Sequence, residues 1–273
     1  MLIGVAKFAV KVAPQAMANS IVRTLASLTQ RPPVSSVEQQ AMARANRISY
    51  GENNKNVAWA WGKGSPVIFV HGWSGRAAQM APLAIHIANS GFRSVAIEVT
   101  GHGDSPKRHT RWDYFFRDIA ALSESLHEEV HAYVGHSAGA LCMMAARALT
   151  GIRAQRYVCI CAPSFPFPPI HVIQKKLDPR ESVLEDYKKY IAEQFETTWE
   201  KLQAGCSYFG AGSNTLLFYD ETDRFIDHSE GGRIQRLCPG TRFVKTSAYG
   251  HQAILAAPEL AQEVGEFLRS RSI

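Results

Sequence analysis

The sequence predicts an α/β protein in which a mostly parallel sheet is flanked by helices, with a small helical cap inserted after the sixth strand. From about residue 45 onward, short apolar runs typical of buried strands alternate with longer segments typical of helices. Such β-α-β alternation produces parallel strands joined by helical crossovers. The alternation stops at Ala162 and resumes at Thr215, which indicates an insertion. We therefore expect an N-terminal helical extension at 1–40, a core at 41–162 and 213–273, and a cap at 163–212.

The composition is that of a globular protein. Of the 273 residues, 46% are hydrophobic and 20% are charged, which excludes a disordered or fibrous chain. The formal charge of +6 comes from 30 basic and 24 acidic residues spread along the sequence, so we expect no nucleic-acid partner. The five cysteines form no C-x-x-C pair and favour a reducing compartment. Since no apolar run approaches the roughly 18 residues of a membrane span, we expect a cytoplasmic protein.

The first 30 residues are apolar and rich in alanine, but Lys7 and Lys11 interrupt what would otherwise resemble the core of a signal peptide. Polar residues recur at every fourth position, which predicts a helix, and Pro14 divides that helix in two. Two hypotheses stay open for residues 1–28. They form either a helix that contacts a membrane surface or a partner, or a helix packed on its own domain. Further on, Ser35 and Glu38 have the spacing of a capping box.

The core is predicted to begin with a hairpin, 47–50 and 57–61, at one edge of the sheet. The next strand, 66–70, is an unbroken apolar run, as expected of a strand buried on both faces. The remaining predicted strands are 93–99, 130–134, 157–161, 215–219 and 242–245. Helices are predicted at 77–90, 110–128, 140–149 and 258–269, and a further one ends near Ile234.

The stretch Gly135-His136-Ser137-Ala138-Gly139 has the form G-x-S-x-G and joins a predicted strand directly to a predicted helix. A strand that runs straight into a helix requires a turn so sharp that the serine backbone is strained, and the two glycines leave room for neighbouring backbone. The serine hydroxyl is then held out at the carboxyl end of the strand. Ser137 is therefore the candidate nucleophile.

A serine hydroxyl needs a histidine to take its proton, and an acid to orient that histidine. The loop after the strand 215–219 carries Asp220, Asp223 and Asp227, and the loop after 242–245 carries His251. All these loops meet at the carboxyl edge of a parallel sheet. His228 competes with His251 but lies at a helix start. The predicted triad is therefore Ser137, an acid and His251, in that chain order.

An oxyanion hole is predicted beside the nucleophile. After the strand 66–70 comes His71-Gly72-Trp73, where the small Gly72 lets the backbone approach a ligand. The backbone amides of Trp73 and Ala138 are placed to stabilise a developing oxyanion together. His71 is expected to be a structural turn residue.

Four motifs together resemble those of the α/β-hydrolase family, over roughly residues 45–271. The resemblance implies the α/β-hydrolase fold, a serine-dependent esterase or thioesterase activity, and neither a cofactor nor a metal. The motifs are Val70-His71-Gly72-Trp73, Gly101-His102-Gly103-Asp104-Ser105, Gly135-His136-Ser137-Ala138-Gly139 and Gly250-His251.

The acid loop departs from the family pattern. Where the family usually has His-Gly-x-x-Asp, this chain has Tyr219-Asp220-Glu221-Thr222-Asp223. Alignment by spacing selects Asp223 as the acid. Asp220 and Asp227 stay open as substitutes.

The cap is predicted to contain one long helix from Glu181 to Ala204, with apolar and aromatic residues every three or four positions on one face. Two hypotheses stay open for that face. It either covers Ser137 as a roof over the acyl group, or attaches the cap to the core. The first hypothesis makes substrate-binding residues of Phe165, Phe167, Ile191, Phe195 and Trp199.

These features predict a cofactor-independent serine hydrolase that cleaves a small-molecule carboxylic ester or thioester with an apolar acyl group, through an acyl-enzyme intermediate. An acyltransferase, other chemistry of the same fold (lyase, C–C hydrolase or peroxidase) and a non-catalytic ligand-binding or scaffold protein are the alternatives. The sequence leaves the oligomeric state open.

Overall fold

The computed structural model describes residues 2–30 and 33–270, and within them it contains one eight-stranded sheet. Along the sheet the strand order is β1-β2-β4-β3-β5-β6-β7-β8. The first two strands form an antiparallel hairpin, β2 pairs antiparallel with β4, and all other pairs are parallel. The strands are β1 (Asn46–Tyr50), β2 (Asn56–Gly62), β3 (Pro66–Val70), β4 (Arg93–Glu98), β5 (Ala132–His136), β6 (Arg156–Ile160), β7 (Thr215–Asp220) and β8 (Arg242–Thr246).

The strand order places the candidate site at a change of direction in the sheet. From β3 the chain first moves outward to β4 and then returns to the other side of β3 to form β5. Loops leaving β3 and β5 therefore diverge, which opens a crevice at the carboxyl edge between them. The four central strands β3, β5, β6 and β7 are buried along their whole length, which explains their unbroken apolar runs.

Helices cover both faces of the sheet and enclose two separate hydrophobic clusters. One cluster contains α4 and α12, and the other contains α5, α6 and most of the cap. The predicted α/β class with a parallel sheet and flanking helices is thus confirmed. The core helices are α4 (Ala77–Asn89), α5 (Trp112–Ser125), α6 (Ala138–Leu149), α10 (Ser229–Leu237), α11 (Gly250–Ala253) and α12 (Pro258–Arg269).

The cap differs from its prediction, because residues 181–204 do not form one helix. Helix α8 (Glu181–Gln194) ends before Glu196, whose φ of 52° is left-handed, and α9 (Trp199–Gln203) starts anew. The side chain of Thr198 accepts a hydrogen bond from the Lys201 amide and caps α9, which satisfies a backbone donor that a continuous helix would have bonded internally. An unpredicted helix, α7 (Pro168–Leu177), precedes α8, and its two leading prolines suit the first turn of a helix.

The N-terminal extension forms three helices: α1 (Leu2–Val12), α2 (Gln15–Ser27) and α3 (Ser36–Met42). Pro14 separates the first two, as predicted, and α1 and α2 pack on the cap helices α7 and α8. The capping box of Ser35 and Glu38 is present at the start of α3. No helix within the described residues is long and apolar enough to cross a membrane.

Candidate active site

Ser137 occupies the sharp turn between β5 and α6. Its φ of 53° and ψ of −122° are strained for a residue with a side chain. A Cβ at Gly135 would lie 2.5 Å from the Cα of Ala140, and one at Gly139 would overlap the carbonyl oxygens of Val70 and His71. The two glycines are therefore required by packing, as the motif predicts. They let α6 start directly behind the sheet with Ser137 at its edge.

His251 and Asp223 form a hydrogen-bonded pair at the same edge. Nδ1 of His251 lies 2.6 Å from Oδ2 of Asp223, whose side chain is fully buried. The other carboxylate oxygen accepts hydrogen bonds from the amides of Phe225 and Ile226 at 2.8 and 3.0 Å. Burial opposes ionisation of Asp223, but the His251 partner and the two amides outweigh it and hold the pKa below its usual value. Asp223 is therefore ionised at neutral pH and fixes the imidazole with Nδ1 protonated.

The structure gives the other two acids different tasks. Asp220 accepts hydrogen bonds on both carboxylate oxygens, including those from the amides of Ala248, Tyr249 and Gly250. It therefore holds the loop that carries His251. Burial by itself would raise the pKa of Asp220, but these hydrogen bonds outweigh burial and lower the pKa strongly. Asp227 accepts a hydrogen bond from the Ser229 amide at the start of α10. Neither acid stands in for Asp223 beside His251.

Two further histidines support the site without being placed to exchange protons. His136, the residue before the nucleophile, donates from Nε2 to the backbone carbonyl of His251 at 2.8 Å. Burial, and then the neighbouring His251, lower the pKa of His136 to about 3. His71 accepts a hydrogen bond from the Val99 amide on Nε2, and burial lowers its pKa to about 4. Both rings are neutral at physiological pH, and His71 has the structural position expected of it.

The backbone after β3 lies against the nucleophile. A Cβ at Gly72 would be 3.1 Å from the Cβ of Ser137, so this approach depends on glycine. The Trp73 ring turns away and stacks on Phe115, with ring centroids 6.0 Å apart. Neither the Trp73 amide nor the Ala138 amide donates to another described group. Both amides are thus free to bind an oxyanion, Ala138 from the first turn of α6.

A cavity of about 380 Å³ joins these groups, and both Ser137 and His251 line it. The Ser137 hydroxyl makes no hydrogen bond with a described residue; catalytic hydrogen bonds of this kind often tighten only when substrate binds. The exposed ring of Phe225 lies beside the imidazole, with centroids 5.3 Å apart. The remaining lining residues are Gln30, Gly72, Trp73, Ser74, Gly75, Gln79, His136 and Gln252.

The cap residues do not form the predicted roof. The Phe195 ring packs on Trp112 and Phe116 of α5, with centroids 5.5 and 4.9 Å apart. The Phe165 ring packs on Trp199 at 5.8 Å. The apolar face therefore attaches the cap to the body, and its residues are already covered by protein. The cavity lining includes none of the five candidate substrate-binding residues, Phe165, Phe167, Ile191, Phe195 and Trp199.

Cys161 is the only cysteine near the candidate triad in the described chain. Its sulfur, one oxygen of Asp223 and one nitrogen of His251 lie within 4.8 Å of one another, and these are atoms that could hold a metal. Burial and then the negative charge of Asp223 raise the pKa of the thiol well above its usual value. A neutral thiol is a poor ligand, and a metal here would have to break the Asp223–His251 hydrogen bond.

The sequence does not predict the role of Asp220 or the presence of Phe225 and Gln30 at the site. Asp220 is predicted only as a substitute acid, whereas its role depends on three amides that are distant in sequence. Phe225 follows the acid loop with no periodic pattern to mark it. Gln30 comes from the extension, outside the motifs. Only Asp220 carries a signal, since an aspartate at the end of a buried strand needs hydrogen-bond donors.

A strained serine at a strand–helix turn, a buried Asp–His pair and two free amides around one cavity define a hydrolase-type site. Residues 67–261 match the sequence profile of the alpha/beta hydrolase family, and the chain belongs to that family. A non-heme chloroperoxidase of Streptomyces lividans is 33% identical over 93 residues, which is 33% of this chain and 34% of that protein. A serine hydrolase-like protein of Dictyostelium discoideum is 23% identical over 212 residues, covering 74% of this chain and 59% of that protein. The matched part of the chain thus spans about a third of the length of the chloroperoxidase and somewhat over half of the length of the Dictyostelium protein.

Solved structures show the same fold. A bacterial membrane phospholipase A superposes with a TM-score of 0.62 at 18% identity and covers 98% of this chain and 95% of its own. The predicted α/β-hydrolase fold is confirmed.

Proposed function

We propose that this chain is a serine hydrolase that cleaves a carboxylic ester or thioester through an acyl-enzyme intermediate. The observation that carries the proposal is the buried Asp223–His251 pair opening onto the same cavity as Ser137. The amides of Phe225 and Ile226 hold one oxygen of Asp223 and leave the other for His251, whereas the neighbouring Asp220 is bonded to the loop backbone. A buried Asp–His hydrogen bond beside a strained serine is the arrangement that nucleophilic catalysis needs.

In the proposed reaction, the Ser137 hydroxyl attacks the acyl carbonyl while Nε2 of His251 takes its proton. The carbonyl oxygen becomes an oxyanion held by the amides of Trp73 and Ala138. His251 then returns the proton to the leaving alcohol or thiol, which leaves an ester between Ser137 and the acyl group. Water, deprotonated by His251, hydrolyses that ester and restores the serine. Asp223 stays ionised throughout and stabilises the imidazolium.

The cavity sets the size of the acyl group. Its volume of about 380 Å³ is at the small end of ligand pockets, and glutamines line it together with the Phe225 ring. We propose a short apolar acyl group that packs on the Phe225 ring. Along a series of acyl esters, each added CH₂ should raise kcat/KM by up to about fourfold, equivalent to roughly 0.8 kcal/mol of transition-state binding. Once the cavity is full, kcat/KM should fall.

Labelling with a fluorophosphonate probe tests the proposal. The wild-type protein should be labelled, and Ser137→Ala should lose both labelling and ester hydrolysis, the latter by on the order of 10⁶-fold in kcat. Its melting temperature should not change, because the hydroxyl makes no described contact. If the wild-type protein is folded and remains unlabelled, the proposal is wrong and the non-catalytic binding alternative is favoured.

A peroxidase activity is the second candidate, and the match to the chloroperoxidase favours it. A transferase, lyase or C–C hydrolase would use the same residues. Products distinguish them: free acid from ester and water supports hydrolysis, transfer to an added alcohol supports an acyltransferase, and peroxide-dependent chlorination supports the peroxidase.

A further inference from the structure

Helix α1 carries an apolar ridge that no described part of the chain covers. The ridge consists of Val5, Phe8 and Val12, whose side chains are 65%, 68% and 59% exposed. At 100° per residue, these three positions fall within about 60° of one another around the helix axis. The opposite face is different, since Val10 is fully buried against the cap. Helix α1 is therefore apolar on two sides, and only one of them is used for folding.

Helix α1 and the helix on which it packs carry positive charge. The sequence contains no acidic residue before Glu38. Lys7 is exposed about 100° around the helix axis from Phe8, and the exposed Lys175 and Lys176 lie on α7, the helix on which α1 packs. Asp178, which directly follows α7, is paired with Lys11 at 2.6 Å. Helices α1 and α7 thus carry exposed lysines and no acidic residue of their own.

The ridge has a fixed orientation on the body of the protein. Besides the Lys11–Asp178 pair, Nη2 of Arg180 donates to the Ala13 carbonyl at 2.8 Å, just after α1. At the start of α2, Gln15 and Asn19 both donate to Asp186 of the cap at 2.8 Å. These contacts hold α1 to the cap, so the ridge faces outward as part of a rigid surface.

We propose that the α1 ridge docks on the surface of an anionic lipid bilayer. Val5, Phe8 and Val12 would enter the boundary between headgroups and acyl chains, and Lys7 would lie at the level of the anionic headgroups. An apolar ridge on a lysine-bearing helix that is too short to span a bilayer suits this interfacial position. A second copy of the chain fits less well, because pairing two ridges brings like charges together.

Co-sedimentation with phospholipid vesicles tests this docking and does not depend on any catalytic activity. Vesicles of phosphatidylcholine containing phosphatidylglycerol should bind the protein more tightly than vesicles of phosphatidylcholine alone, and salt should reduce the difference. The triple variant Val5→Gln, Phe8→Gln, Val12→Gln should lower the partition coefficient by more than about tenfold. Lys7→Gln should lower it about fivefold on anionic vesicles only.

Glutamine is chosen because it preserves helix propensity without adding charge. The matched control is Phe209→Gln, an exposed phenylalanine outside the extension, which should bind vesicles like the wild type. Circular dichroism must show equal helix content in all variants.

Absence of wild-type sedimentation with either vesicle, or equal sedimentation of the triple variant, overturns the proposal. A triple variant that converts a dimer to a monomer in size-exclusion chromatography, with no vesicle binding by the wild type, assigns the ridge to contact between copies instead.

Discussion

Replacing Asp223 by asparagine isolates the proposed role of the acid, because the substitution keeps the shape of the side chain. The asparagine oxygen can still accept from the amides of Phe225 and Ile226, which the wild-type Oδ1 accepts at 2.8 and 3.0 Å. The other end of the side chain becomes an NH₂ group facing Nδ1 of His251. Two donors cannot share that 2.6 Å contact, so the imidazole must move its proton to Nε2.

With Nε2 protonated, His251 cannot take a proton from Ser137. We expect Asp223→Asn to lower kcat by about 10⁴-fold, equivalent to roughly 5 kcal/mol of transition-state stabilisation. Stability should change little, since the amide contacts persist. The assay is steady-state hydrolysis of a short acyl ester, with fluorophosphonate labelling rates as a second readout.

Asp227→Asn is the matched control, because Asp227 contacts only the start of α10 and should leave kcat within about twofold of the wild type. The reasoning about the tautomer is refuted if Asp223→Asn retains more than about a tenth of the wild-type kcat. It is also refuted if Asp227→Asn is the impaired enzyme.

Two further substitutions, at Asp220 and Glu98, test contributions to the stability of the fold. Asp220→Asn should lower the free energy of unfolding by about 3 kcal/mol or more, because an NH₂ group would face several of the donors that now converge on the carboxylate. Urea denaturation measures this loss, and an unchanged midpoint would contradict the prediction. Glu98, at the end of β4, has its pKa raised to about 7 mainly by burial. A carboxyl with a raised pKa stabilises the fold at low pH, where it is protonated, and this contribution is lost as the pH rises through about 7. The free energy of unfolding of the wild type should therefore fall by roughly 2–3 kcal/mol between about pH 5 and about pH 8 through this group, and Glu98→Gln should remove that fall. Identical pH profiles of denaturation would contradict this.

The sheet could be predicted from sequence because its central strands are buried on both faces. A strand such as Pro66–Val70 has no solvent-facing position, so its apolar run is continuous and short, and differs clearly from a helical pattern. The nucleophile could be predicted for a related reason. Gly135 and Gly139 are required by backbone contacts so close that no side chain fits, and this requirement appears directly in the sequence.

The cap could not be predicted in the same way. Apolar periodicity continues from α8 through Phe195 to Trp199, but α8 ends before the left-handed Glu196, and a hydrogen bond to the Thr198 side chain caps the start of α9. Periodicity shows that a face is apolar without showing which surface it meets. Here the face meets Trp112 and Phe116 of α5 and lies outside the cavity lined by Ser137.

In the loop after β7, sequence spacing identifies the acid beside His251 but not the role of the neighbouring acid. Spacing selects Asp223, and the structure places that residue against His251 at 2.6 Å. It says nothing of Asp220, whose partners lie some 28 to 30 residues further along the chain. Two aspartates three residues apart therefore differ in what they hold: one orients the imidazole, and the other positions the backbone that carries it.

The N-terminal extension contacts the loops that form the candidate site. After α2 the chain crosses the loops that follow β3 and β4: the Thr29 hydroxyl donates to the Gly101 carbonyl at 2.6 Å, and the Gln30 amide donates to the Ser74 hydroxyl at 3.0 Å. Ser74 directly follows Trp73, whose amide is proposed to hold the oxyanion. A helix pair that docks on lipid through α1 would therefore be joined, through this short crossing segment, to the loop that forms the oxyanion hole. Because Gln30 also lines the cavity, the extension belongs to the site as well as to the proposed docking surface.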